Sequence, residues 1–243
     1  MVQYRFSVRT SDGRPVFASM SYPIYAWLLS QVPVSYGTLL HEQGQKPVSQ
    51  YLYKEQKSGQ FIWTVSCLDE TSEEVFTPVL SNLHEIPLHS RFLKIEFLDT
   101  VSLPSLEDFM KAAKGQPETS FSRLAFRSPT AFKHDGNYVI FPEVPLIVQS
   151  LTEKWNGVFP DYPLNDPEAL ETFRQGLKIT DYHLKSCRFP MKKTQIPSFT
   201  GEITVRVRLP LLMMELWKYL AYFSRFSGIG IKTTLGMGGV SFI

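Results

Sequence analysis

Residues Gly228 to Gly239 read GIGIKTTLGMGG, five glycines and one lysine in twelve positions. Glycines at that density imply positive-φ backbone or close approach to another body, and successive N–H groups in such a turn form a concavity that binds anions. Gly228, Gly230, Gly236 and Gly238, with Lys232, Thr233 and Thr234 between them, are therefore candidate phosphate contacts. A nucleotide loop of the GxxxxGK[ST] type requires glycine directly before the lysine, where Ile231 stands, and a helix directly after the loop, where the sequence offers Val240 to Ile243. The dinucleotide pattern GxGxxG fails for want of the same helix. The spacing fits a loop that leaves a helical run, Leu211 to Phe223, crosses the protein surface and closes with a strand, Gly238 to Ile243. Such a loop would hold a phosphate backbone and not a free nucleotide. A glycine-rich turn with no ligand satisfies the same spacing.

Charge points to an extended polyanion. The chain of 243 residues has a formal net charge of +2, but the sign is not uniform along it. Residues 1–118 hold 10 Lys+Arg against 13 Asp+Glu, whereas residues 119–243 hold 15 against 10. From Arg174 onward there are 11 basic and 3 acidic residues, with Lys185, Arg188, Lys192, Lys193, Arg206, Arg208, Lys218, Arg225 and Lys232 among the basic ones. Each phosphate neutralised by such residues releases counterions, which favours binding to nucleic acid; a solvated basic face is the other reading.

Other chemistry is poorly provided for. Cys67 and Cys187 stand far apart, without a CxxC or a Cys/His cluster, so neither a disulfide framework nor a structural metal site is expected. His84 and His89 flank Pro87, which denies them a common helical face. No metal and no cofactor are expected. His134, beside the Asp135-Gly136 turn, and His183, in an alternating run, read as a loop and a sheet-face histidine, with nucleic-acid contact as the alternative. No run of eighteen apolar residues is present, and Met1 to Arg5 lacks the blocks of a signal peptide, so a cytoplasmic protein without membrane contact is expected.

The elements that must position these residues follow from periodicity. Tyr4 to Arg9 alternates as a strand, and Tyr22 to Gln31 reads as a helix with Pro23 in its first turn and Pro33 beyond its end. A short helical turn, Tyr36 to Glu42, precedes the polar loop Gln43 to Pro47. Val48 to Tyr53 and Gln60 to Leu68 form a hairpin, Thr71 to Leu83 a helix with Thr71 as N-cap, and Arg91 to Leu98 a strand. The order is β-α-β-β-α-β, the ferredoxin-like arrangement. After a partly helical connector, Leu103 to Ser120, a second series runs through strands Phe121 to Ala131 and Asn137 to Phe141 and helices Pro145 to Trp155 and Pro167 to Gly176. It continues with a long hairpin, Leu177 to Arg188 with Phe199 to Leu209, then the helix Leu211 to Phe223 and the last strand. The expected fold class is α+β: two tandem ferredoxin-like βαββαβ domains, residues 1–118 and a decorated 119–243.

Three local matches resemble the CRISPR-associated endoribonucleases that cut precursor CRISPR RNA within its repeats, members of the RAMP superfamily. Gly228 to Gly239 is similar to that family's C-terminal signature, Phe126 to Phe132 (FRSPTAF) to the strand motif opening its second domain, and Leu40-His41-Glu42 with Lys46-Pro47 to its catalytic stretch. The resemblance implies metal-independent cleavage, in which the ribose 2′-hydroxyl attacks the adjacent phosphate and leaves a 2′,3′-cyclic phosphate and a 5′-hydroxyl. That reaction needs a base, an acid and positive charge on the crowded phosphorane. His41 matches the family's catalytic histidine, and imidazole, with an unperturbed pKa of about 6.5, serves either proton-transfer role. Lys46 would supply charge. By residue type alone His41 reads equally as a helix-terminal histidine favoured by the dipole. Where many members carry a third catalytic tyrosine, this sequence has Leu28 to Gln31, with Tyr25 and Tyr36 available on either side and Ser30 as a partial substitute. The implied partner is RNA, the CRISPR repeat of the precursor transcript. An effector complex and a homodimer are further possible associations, and a non-catalytic RNA-binding subunit of the same superfamily is the alternative function.

Overall fold

In the first strand, Val2, Tyr4, Phe6 and Val8 point to one side and join a buried apolar cluster, while Gln3 and Arg5 point to the other. The computed structural model describes residues 1–42, 44, 46–88, 91–116, 120–191 and 194–242, with His41 described by its backbone only. β1 (Val2–Thr10) is followed by α1 (Ser21–Ser30), α2 (Val34–Glu42), β2 (Val48–Lys54), β3 (Phe61–Cys67), α3 (Glu70–Ser81), β4 (Glu85–Leu88) and β5 (Arg91–Ser102). The strands form an antiparallel sheet in the order β2-β3-β1-β5-β4. Without β4 this is the ferredoxin-like order. β4 is absent from the sequence-based expectation because it is a short edge strand carrying Pro87, tolerated there because an edge strand need not donate on both sides. α3 also starts earlier than expected. Its N-cap is Asp69, not Thr71, because the Asp69 carboxylate accepts from Ser72 N–H at 2.8 Å and Ser72 Oγ accepts in return from Asp69 N–H.

The second series comprises α4 (Leu106–Lys114), β6 (Phe121–Thr130), a small hairpin of β7 (Phe132–His134) and β8 (Asn137–Val139), α5 (Val144–Val158), α6 (Pro167–Gly176), β9 (Leu177–Met191), β10 (Thr194–Val207), α7 (Leu211–Ser227) and β11 (Val240–Phe242). Its main sheet runs β11-β6-β10-β9, the ferredoxin-like order again, with β7-β8 and α6 as decoration. β9 and β10 are longer than expected. Pro190 and Pro197 suggest breaks, but β10 pairs with β6 only from Phe199 to Arg206, so Pro197 lies where no third strand requires its N–H.

α4 falls within the stretch assigned to the first domain, yet it packs into the second unit. Its Phe109 is fully buried against Trp155, Tyr222, Phe223 and Phe226, with ring centroids 5.5–6.5 Å apart. Between the two large cores lies a third cluster of Ala131, Phe189, Ile196 and Met237. Met237 comes from the glycine-rich segment, which therefore runs between the units and not around them.

Candidate active site

Edge strand β2 meets the glycine-rich segment. Gln50, fully buried, donates from Nε2 to Ser21 O at 3.0 Å and to Thr234 O at 2.9 Å, and its Oε1 accepts from Trp63 Nε1 at 2.9 Å. Ser49 Oγ donates to Phe226 O, at the end of α7. An exposed strand edge is thereby covered, and each polar atom of the Gln50 side chain has a partner.

The segment itself corrects the expectation of a surface-crossing, phosphate-cradling loop. Gly228, Gly236, Gly238 and Gly239 are buried, and Gly230 is partly so. Most of its amides point inward: Ile229 N–H to Gly238 O, Gly230 N–H to Ser150 Oγ, Ile231 N–H to Ala131 O, Gly238 N–H to Pro129 O and Gly239 N–H to Ser128 Oγ. The glycines are needed for contact. A Cβ on Gly236, at φ +106°, would stand 1.7 Å from Ser21 Oγ, and one on Gly239 would stand 2.2 Å from the Tyr51 ring. The part that lines a recess is Gly230 to Leu235, within which Lys232 adopts left-handed backbone at φ 56° and leads into a 3₁₀ turn.

Two recesses open at the junction. One, of about 330 Å³, is lined by Gly44 and Lys46 from the α2–β2 crossing, by Lys154 from α5 and by Lys232 and Thr233 from the glycine-rich segment. The other, of about 390 Å³, lies between Arg5, Tyr51 and Tyr53 of the first sheet and Arg127, Arg225 and Phe242 of the second unit. Its arginines are held by the protein: Arg127 Nε donates to Ser241 Oγ at 2.7 Å, Arg225 Nε donates to Gln3 Oε1 at 3.4 Å, and Arg5 pairs with Asp99 at 3.0 Å.

The structure thus brings Lys46, Gly230, Lys232, Thr233 and Thr234 to one recess. His41 lies in the last turn of α2, three residues before recess-lining Gly44; its side chain is outside the described residues, as are Lys192 and Lys193. Lys185 and Arg188 are exposed on β9, the outer strand of the second sheet, and line neither recess. Tyr25 lines neither recess. It is 5% exposed in the first core, and burial pushes its hydroxyl up to about 12. Ser30 is directed elsewhere too, its Oγ donating to Trp27 O at 2.6 Å at the end of its own helix. Cys67 and Cys187 are both free thiols, and among the described residues no three His, Cys, Asp or Glu side chains are grouped as metal ligands. No helix among the described residues is long and apolar enough to cross a membrane.

Sequence reading missed Lys154. The available signal is its position on α5, three and four residues after buried Leu151 and Ser150, which puts it on the edge of the apolar face and not among the solvated residues.

Known proteins share both this sequence and this architecture. The profile of the CRISPR-associated endoribonuclease Cas6 family matches residues 124–240. The Cas6 endoribonuclease of Streptococcus thermophilus is 28% identical over 222 residues, spanning 91% of this chain and 90% of that protein. The Cas6 endoribonuclease of Mycobacterium tuberculosis is 29% identical over 230 residues, spanning 92% of this chain and 71% of that protein. The chain resembles these Cas6 endoribonucleases over nearly all of its length. Solved Cas6 structures share the fold: Thermus thermophilus Cas6 superposes with a TM-score of 0.73 at 24% identity, covering 100% of this chain and 98% of that one. A Cas6 product complex reaches 0.78 at 20% identity, covering 100% of both chains. The Cas6 match takes in α5 and the whole glycine-rich segment, both of which line the lysine-lined recess.

Proposed function

We propose that this chain, like the Cas6 proteins it resembles, is an endoribonuclease that cuts CRISPR repeat RNA, and that it does so without a metal ion, by attack of the ribose 2′-hydroxyl on the adjacent phosphate. The observation that carries the reading is the recess that Lys46, from the crossing just after His41, lines together with Lys232 and Lys154, with Glu153 as its one carboxylate among the described lining residues. Lysines on both walls suit a phosphate and the added charge of a phosphorane.

In the proposed reaction a base takes the proton from the 2′-hydroxyl, the 2′-oxygen bonds to phosphorus, and the bond from phosphorus to the 5′-oxygen breaks. That oxygen takes a proton from an acid, so the products are a 2′,3′-cyclic phosphate and a 5′-hydroxyl. His41 serves one of the two proton transfers, and Lys46 offsets the developing charge. The arginine and tyrosine recess on the first sheet suits flanking nucleotides, since guanidinium groups contact phosphate and aromatic rings stack on bases.

End-labelled repeat RNA incubated with the protein and excess EDTA tests this reading. The expected result is a single cut with a cyclic phosphate on the 5′ fragment, abolished when the ribose at the cut is 2′-deoxy while binding persists. Cleavage that requires added Mg²⁺, or that proceeds undiminished on the deoxy substrate, would overturn the mechanism.

A further inference from the structure

Lys154 ties helix α5 to the glycine-rich segment. Its Nζ donates to Ser150 Oγ at 3.0 Å, to Gly228 O at 3.3 Å and to Gly230 O at 2.8 Å, and Ser150 Oγ also accepts from Gly230 N–H at 2.8 Å. One helical turn therefore holds both backbone polar groups of Gly230. All three ammonium protons are engaged, so Lys154 has no donor left for a ligand. It can act on one only through the segment it holds and through its charge.

That charge is placed in the recess. The charged groups around Lys154 there are Glu153 on its own helix, Lys232 on the glycine-rich segment and Lys46 on the α2–β2 crossing. We propose that Lys154 is a positioning residue for RNA phosphate: its ammonium fixes Gly228 and Gly230 and keeps the recess positive, and RNA binding is coupled to proton uptake at this side chain. The proposal rests on the RNA-binding reading above and goes beyond it in naming a residue and a coupling.

Enclosure of the ammonium disfavours the charged form and pulls its pKa from 10.5 down to about 7, with Glu153 acting in the opposite sense. A neutral amine has two protons for three acceptors, so deprotonation also releases one tie to the segment or to Ser150. A phosphate in the recess favours the charged form and raises the pKa. Affinity should therefore be highest below the pKa of the free protein, fall as pH rises above about 7, and level off once the pKa of the complex is passed.

The test uses fluorescence anisotropy with repeat RNA carrying 2′-deoxyribose at the cut, at fixed ionic strength from pH 6 to 9, on the wild type, Lys154→Arg and Lys154→Met, each first checked by thermal melting. Wild-type affinity should fall about tenfold across that range, as one linked proton permits. Lys154→Met should bind weakly with a flat profile, and Lys154→Arg tightly with a flat profile, because guanidinium does not titrate there. Should either variant fail to fold, calorimetry on the wild type and on His41→Ala, in two buffers of different ionisation enthalpy at pH 7.5, should show proton uptake on binding in both proteins. A Lys154→Met profile parallel to wild type, or uptake that is absent or disappears with His41, would overturn the proposal while leaving the nuclease reading intact. A wild type that binds no repeat RNA at any pH would instead overturn the reading on which it rests.

Discussion

Two segments face each other across the lysine-lined recess, and they are built in opposite ways. The glycine-rich segment from Gly228 to Gly239 is wedged between two cores, most of its amides bonded to its own unit and its carbonyls at Thr234 and Leu235 accepting from Gln50 and Ser21 of the other. The α2–β2 crossing, from His41 to Pro47, is short and polar, with Glu42 and Gly44 exposed and Lys46 on the recess wall. Dense glycine marks close packing that lets a few side chains be presented; the residues to which the proposal gives proton chemistry lie in the segment with no dense motif. In the proposed reading grip and chemistry come from different units, and the interdomain contact that joins them belongs to the site.

The strongest way to break that comparison is to disturb the wedge. Gly236→Val places a β-branched side chain at φ +106° with its Cβ 1.7 Å from Ser21 Oγ. Overpacking together with left-handed backbone should cost about 3 kcal/mol or more of stability, visible as a lower unfolding midpoint without any RNA present. Stability within about 0.5 kcal/mol of wild type, the usual range for a neutral surface change, would mean that this glycine serves a ligand and not the packing.

A smaller effect sharpens the comparison at the same segment. Lys232 lines the recess without any hydrogen bond or ion pair from its side chain among the described residues, so Lys232→Ala should leave the melting temperature nearly unchanged. RNA affinity should drop, and the slope of log affinity against log salt should become shallower by about one. An unaltered salt slope would remove Lys232 from the phosphate contacts.

Much of the fold was legible because alternation is a local property. The run from Thr200 to Arg208 announces a strand, and both four-strand cores follow from the order of such runs. What was not legible depends on partners distant in sequence. Pro197 reads as a break until β6 is seen to stop short of it, and Phe109 reads as part of a connector until it is found among the rings of α5 and α7. At the candidate site, Lys46 and Lys232 were singled out from residue type and motif, and both line one recess. Tyr25 and Ser30 line neither recess, because their position along the first helix says nothing of which side is turned into the core. Lys154 was missed because a single lysine on an amphipathic helix looks solvated until the carbonyls above it are known.

The division of labour between the two units is tested most directly by the single-turnover cleavage rate of repeat RNA at saturating protein, for His41→Ala beside Lys232→Ala. Loss of a proton-transfer group should lower the rate of His41→Ala by about 10² to 10⁴ with affinity little changed, while Lys232→Ala should regain nearly the wild-type rate once saturated. A His41→Ala protein that cleaves at the wild-type rate, or a Lys232→Ala protein whose rate stays equally low at saturation, would contradict the assignment of chemistry to the α2–β2 crossing and of grip to the glycine-rich segment.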